Sequence, residues 1–226
     1  MNKTIIISFS CVLITIFILF VLSPVSIDKI KFKNVKGDAD VNLLVDYNPQ
    51  KIPTKKSNFT TPYINAKANL LMDLDSAYIL HEDKASEKVP IASTTKIATA
   101  LVVLENYPDK IQDIVTITGK MINVEGSDIQ LRTGEKISVE NLLKGLLIMS
   151  GNDTAYSLAE YFGGKENFVK EMNTKVNSIG ATNTQYKDPA GLNDEGYSTA
   201  HDLAMIAAYA LRNDKFQLIV KTAKED

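Results

Sequence analysis

Hydrophobic and polar positions divide the chain into three regimes: an unbroken apolar run near the start, a polar stretch behind it, and then short alternating and helical patterns to the end. From Ile5 to Leu22 only Ser8, Ser10 and Thr15 interrupt strongly apolar residues, and no charge occurs. That length suits a membrane-spanning helix and exceeds a usual signal-peptide core. Ser23 is followed by Pro24 and no Ala-x-Ala-like site appears, so residues 1–23 read as an uncleaved anchor, with a removed signal peptide as the alternative. Residues 24–65 mix Lys, Asp, Asn, Thr and Pro with few apolar pairs. They read as a stalk or linker, with a short strand at Val41–Val45.

From residue 66 to 226 the pattern is that of a folded domain. Ala66–Leu74 and Ala77–His81 read as two strands joined at Asp75-Ser76, and the charged loop Glu82–Lys88 follows. Next comes Pro90-Ile91-Ala92-Ser93-Thr94-Thr95-Lys96, opening an apolar run through Leu104 that reads as a buried helix. The helix should stop near Asn106–Pro108, because Pro108 disfavours helical geometry in the residue before it. Ile114–Ile117 and Ile129–Arg132 are strand candidates, the second leading into the turn Thr133-Gly134-Glu135. Ser138 opens an amphipathic helix with Leu142, Leu143, Leu146, Leu147 and Met149 on its buried side. Further helices are expected from Asp153 to Phe162, closed by Gly163-Gly164, from Glu166 to Ile179, and from Thr199 to Arg212. The turn-rich Asp188-Pro189-Ala190-Gly191-Leu192 separates the last two, and the Leu, Ile, Val and Ala stripes of these helices are core.

Composition narrows the chemistry. With 226 residues, 45% hydrophobic and 23% charged, the chain is long enough for one large domain or two small ones. A net charge of -2 makes no electrostatic case for nucleic acid. The one cysteine, Cys11, lies in the apolar run, so there is no disulfide framework and no cysteine metal site. His81 and His201 lack ligand spacing, which supports neither a histidine metal site nor a Ser-His-Asp triad, and no cofactor is implied. Any serine chemistry would therefore need a lysine as base.

Two segments carry candidate chemistry. In a helix, residues three apart share a face with Cβ atoms roughly 5–6 Å apart, so Lys96 can reach the Ser93 hydroxyl. A lysine desolvated against apolar neighbours loses its proton more easily and can accept one from serine, whose hydroxyl alone is a poor nucleophile. The pair is thus either a nucleophile with its base, or an N-cap serine with a first-turn surface lysine. In Ser150-Gly151-Asn152, Gly151 lets the backbone turn tightly. There Ser150 could relay a proton and Asn152 hold a substrate amide carbonyl, or the three residues could simply mark a helix boundary.

With their flanks, these motifs resemble the low-molecular-mass serine D-alanyl-D-alanine carboxypeptidases among the penicillin-binding proteins. The likeness rests on Ile91–Lys96, on Met149-Ser150-Gly151-Asn152-Asp153-Thr154-Ala155, and on the Asp188–Leu192 turn followed by Tyr197-Ser198-Thr199-Ala200. It implies an α/β fold of the β-lactamase/transpeptidase type, an antiparallel sheet packed on a helical cluster. It also implies Ser93 as the acylated nucleophile, Lys96 as its base, Ser150 as proton shuttle and Asn152 as a substrate-amide contact. The implied substrate is a peptidoglycan stem peptide ending in D-Ala-D-Ala, and β-lactam antibiotics would trap the same serine. A peptidoglycan substrate places the domain outside the cell membrane. The lysines 29, 31, 33 and 36 outnumber Lys3 and by a strict positive-inside count argue the other way.

The family's third motif, Lys-Thr-Gly, does not occur. Lys221-Thr222-Ala223 lacks the glycine that allows close substrate approach, follows directly on the helix ending near Arg212, and has three residues after it. It is read as no substitute. The expectation is a C-terminally truncated domain lacking its later strands, with an unpaired hairpin edge and an exposed apolar face. The alternatives are a catalytically silent, membrane-anchored binding or scaffold protein, or a β-lactamase. Ser150-Gly151-Asn152 departs from the Ser-Asp-Asn of the class A β-lactamases.

Overall fold

The computed structural model describes residues 53, 54, 60 and 63–223. The apolar run Ile5–Leu22 and the strand expected at Val41–Val45 lie outside the described residues. Among those described, no helix is long and apolar enough to cross a membrane.

The chain first forms an antiparallel hairpin of β1 (Asn69–Met72) and β2 (Ile79–Asp83), with Leu71 opposite His81 and a bulge between Leu71 and Met72. The first strand is shorter than the expected Ala66–Leu74, and the second begins and ends two residues later than the expected Ala77–His81, because the turn begins earlier, at Asp73. Its carboxylate accepts from the Ser76 N–H at 2.9 Å and from the Ser76 hydroxyl at 2.5 Å, and the Asp73 N–H donates to the Tyr78 carbonyl. A side chain that supplies its own turn partners ends a strand before its hydrophobicity does. Leu71, Leu74, Tyr78 and Leu80 remain exposed on this hairpin.

Helix α1 (Thr95–Asn106) is the axis of the core. Ala98, Ala100, Leu101, Val102 and Val103 are fully buried, and so are the polar Thr95, Lys96 and Thr99, so the helix is enclosed on nearly every side. Around it pack α3 (Val139–Ile148), α4 (Asn152–Tyr161), α5 (Lys165–Ser178), α6 (Ala200–Ala210) and α7 (Asp214–Val220). Three of these helices start at side-chain caps. The Ser138 hydroxyl accepts from the Asn141 N–H, Thr199 from Asp202 and Asn213 from Phe216.

A second two-stranded ribbon pairs β3 (Ile114–Thr116) with β4 (Lys136–Ser138), with the one-turn helix α2 (Gly119–Ile122) between them in sequence. Here the expected strand at Ile129–Arg132 is absent. Its backbone is taken by a side chain, since the Ile129 and Leu131 N–H groups donate to the Asp153 carboxylate. The pairing strand lies beyond the turn, at Lys136–Ser138.

A further helix, α7, occupies residues 214–220, for which the sequence pattern offers no element. Lys221 is its C-cap, with Nζ donating to Gln217 Oε1 and the Thr222 hydroxyl to the Leu218 carbonyl. Lys221-Thr222-Ala223 therefore follows α7 rather than the helix ending near Arg212, and it lies at a helix end, not on a strand.

Candidate active site

The segment entering α1 tightens into a 3-10 turn at Ala92–Thr94, with Ala92 at φ +43. The Thr94 hydroxyl donates to the Ile91 carbonyl at 2.5 Å. Ser93 therefore precedes the helix proper and does not cap it. Its side chain is exposed, whereas Lys96, one turn further on, is 3% exposed.

Lys96 Nζ donates to three oxygens: Ser93 Oγ at 3.1 Å, Asn152 Oδ1 at 2.8 Å and the Ala190 carbonyl at 3.0 Å. A surface lysine would have none of these, so the geometry favours the paired reading of Ser93 and Lys96 over the cap-and-surface one. An ammonium has three protons for these acceptors. A neutral amine has two, and with Asn152 and Ala190 taking both, its lone pair points at the serine hydroxyl. Burial pulls the Lys96 pKa below that of an ordinary lysine, and the Asp188 carboxylate offsets part of this. The arrangement can therefore hold a lysine that exchanges one proton with one serine.

Asn152 begins α4 and is 4% exposed. Besides accepting from Lys96, it donates from Nδ2 to the Glu125 carbonyl at 2.6 Å, while its backbone N–H donates to the Ser127 carbonyl at 2.7 Å. In this structure its carboxamide clamps the lysine to the 125–127 loop, and one Nδ2 proton is left over from these contacts. Ser150 sits in the turn before it at φ +56, half-buried, and takes no part in the hydrogen bonds around Lys96. The structure thus brings Ser93, Lys96 and Asn152 together directly, with Ser150 beside them in the chain.

Two buried aspartates complete the site, and neither stands out as functional in the sequence. Asp153, 2% exposed, accepts from the N–H groups of Ile129, Leu131 and Thr154, which ties the loop contacting Asn152 to the first turn of α4. Asp188, also 2% exposed, gathers the N–H groups of residues 190–193 and so shapes the loop that delivers the Ala190 carbonyl. Asp-Pro-Ala-Gly in sequence signals a turn. That the aspartate is buried, and that a carbonyl beyond it meets Lys96, follows only from packing across 94 positions. Gly191 shows the closeness of this fit: at φ +83, an added Cβ would lie 1.9 Å from the Ala92 carbonyl oxygen. Among the described residues no three His, Cys, Asp or Glu side chains converge to hold a metal ion.

A buried lysine bonded to an exposed serine at the head of a central helix defines a serine–lysine acyl-transfer type of site. The Peptidase S11 family model, D-alanyl-D-alanine carboxypeptidase, matches residues 53–226, and the chain belongs to that family. It is 38% identical over 161 residues to D-alanyl-D-alanine carboxypeptidase DacF of Bacillus subtilis, a match covering 69% of this chain and 41% of that protein. Among solved structures it is similar to a penicillin-binding protein homologue of Mycobacterium tuberculosis, with TM-score 0.71 and 33% identity over 74% of this chain and 64% of the other. It is likewise similar to the Streptomyces K15 DD-transpeptidase, with TM-score 0.69 and 34% identity over 73% and 67%. The fold is thus of the penicillin-binding protein and transpeptidase type. The chain spans about half the length of many of the curated relatives it matches.

Proposed function

We propose that this chain carries the acylating half of a serine D-alanyl-D-alanine carboxypeptidase that trims peptidoglycan stem peptides. The observation that carries the reading is the Lys96 amine, buried and bonded at once to Ser93, Asn152 and the Ala190 carbonyl. Ser93 Oγ attacks the carbonyl of the penultimate D-alanine while its proton passes to the neutral Lys96 amine. The C–N bond to the terminal D-alanine breaks, and the leaving amine takes up that proton. Ser150 is assigned the relay between lysine and leaving group, supported by its place in Ser-x-Asn directly before the lysine-bound Asn152. The remaining Nδ2 proton of Asn152 is assigned to a substrate amide carbonyl. Water then hydrolyses the ester on Ser93.

A β-lactam reacts by the same route. Ser93 adds to the lactam carbonyl, the ring C–N bond opens and the ring nitrogen takes the proton. Residues 1–23 are proposed to anchor the chain in the cell membrane with the domain on the outer side. The uncharged run Ile5–Leu22 and the location of such a substrate support this placement.

The test is intact-protein mass spectrometry of the full chain with benzylpenicillin, together with release of D-alanine from a peptide ending in D-Ala-D-Ala. One covalent adduct, absent in Ser93→Ala and slowed by about 10³-fold in Lys96→Ala, is expected. A folded chain that takes no adduct and releases no D-alanine would instead support a silent binding protein.

A further inference from the structure

We propose that Asp188 is a positioning residue for Lys96, its carboxylate shaping the 188–193 loop so that the Ala190 carbonyl stands on the lysine amine. Oδ1 accepts from the N–H groups of Ala190 at 2.7 Å, Gly191 at 2.7 Å and Leu192 at 3.2 Å, and Oδ2 from Asn193 at 2.7 Å. Four successive N–H groups thus converge on one buried side chain. With these donors turned inward, the Ala190 carbonyl faces outward, and it meets Nζ at 3.0 Å.

The loop is registered on the same stretch of α1 that carries the lysine. The Thr99 hydroxyl, three residues after Lys96, donates to the Pro189 carbonyl at 2.6 Å, and Gly191 seats against the Ala92 carbonyl. The loop's ends are closed by reciprocal backbone bonds between Gln185 and Tyr197, and Ser198 is bonded in turn to Val89, just before the Ser93 turn. Helix, serine turn and loop are therefore one interlocked unit, with Asp188 at its turning point.

A carboxylate in such a nest could serve the loop alone, but the charge of Asp188 also reaches the lysine and pulls its pKa back up against burial. Besides Asp188, the elements around the amine carry Glu105 of α1, Asp153, Tyr156, Glu160 and Tyr161 of α4, Glu125 and Asp128 of the preceding loop, and Lys187, Asp194 and Glu195 flanking Asp188. Asp153 is turned to the N–H groups of Ile129, Leu131 and Thr154, and Glu125 is exposed. The Tyr156 hydroxyl is held above its ordinary pKa by burial and by Asp188 itself. Asp188 is thus the neighbouring charge that raises the lysine's proton affinity against the larger effect of burial.

The catalytic consequence rests on the function proposed above, so the test has one arm that needs no activity. In the full chain, Lys96 is titrated by carbon-13 NMR of labelled lysine in the natural protein and in Asp188→Asn, and penicillin acylation is followed across the same pH range. Asparagine keeps one oxygen for the N–H groups of residues 190–192, removes the charge and gives up the acceptor of the Asn193 N–H. The expected result is a Lys96 titration moved to lower pH and an acylation plateau reduced by about 10- to 100-fold. A folded D188N protein whose Lys96 titration does not move overturns the proposal, since a purely structural aspartate would alter stability alone.

If the natural protein takes no penicillin, the proposed function fails while the titration still decides the role of Asp188. Amide hydrogen exchange at residues 190–193 of the natural protein provides a measurement without substitution, which decides the matter should D188N not fold. Slow exchange is expected, and exchange as fast as in an exposed loop overturns the proposal.

Discussion

Two loops converge on the Lys96 site, the 188–193 loop on the amine itself and the 125–131 loop on Asn152, and each is held by a buried aspartate, yet the two are built differently. Asp153 stands on α4 and reaches back 22 to 24 positions to the 129–131 segment, so it is a tertiary staple. Asp188 stands inside its own loop and binds only the residues two to five positions ahead. The first makes its loop depend on the fold. The second makes a loop that can form locally and then be docked. Both carboxylates therefore hold a loop, and Asp188 also acts on the amine beside it.

The largest effect expected from breaking this contrast is on stability. Asp153→Ala strips the acceptors from the Ile129 and Leu131 N–H groups and should cost about 3 kcal/mol in urea denaturation, since each buried donor left unpaired costs roughly 1–3 kcal/mol. Asp188→Ala strips four N–H groups and should cost stability too, but it alone should also move the Lys96 titration; an equal shift in Asp153→Ala would erase the distinction.

Next is Gly191→Ala, where the added Cβ meets the Ala92 carbonyl and φ is +83. A loss of about 2 kcal/mol is expected, with acylation of Ser93 slowed more than penicillin binding is weakened, because the serine turn must shift.

A subtler change adds charge on the α4 side. Asn152→Asp puts a carboxylate on the amine at the position now 2.8 Å from it, favours the ammonium and should move the alkaline rise of acylation to higher pH, opposite in sign to D188N. Parallel shifts in the two variants would refute the assignment of charge to the loop side.

The smallest stability change belongs to Lys96→Met. A similar apolar volume replaces the buried amine but leaves Asn152 Oδ1 and the Ala190 carbonyl without their donor, so stability at neutral pH should fall by about 1–2 kcal/mol, while acylation is lost. The pH slope distinguishes it further. The folded pKa of Lys96 is lowered, so between that value and the ordinary lysine value of about 10.4 the unfolded chain binds the extra proton. Stability of the natural protein therefore rises with pH through that window, and Lys96→Met should lack this rise.

Much of the fold was legible where local chemistry and tertiary packing agree. α1, α3, α4, α5 and α6 lie within a residue or two of their apolar periodicity and caps, because a helix closes its own hydrogen bonds and needs only a buried stripe. Legibility failed where a side chain took backbone donors that the pattern assigned to a strand, at Ile129–Leu131 and again at Asp73–Ser76. It failed also at α7, whose cap Asn213 reads equally as a turn residue. In the site, Ser93 and Lys96 were legible because three positions on a helix are one face. The carboxamide of Asn152 also holds the lysine, a contact that no spacing along the chain reveals.

The amino-acid sequence by itself determined five of the seven described helices, the nearness of Ser93 and Lys96 and the family, since each depends on contacts among near neighbours or on motifs read in order. The tertiary structure alone decided that Lys96 is dry, that Asn152 and the Ala190 carbonyl are its other partners, and that Asp188 rather than Asp153 lends it charge. Proton affinity depends on what surrounds a group in space, and those surroundings come from segments 56 and 94 positions away.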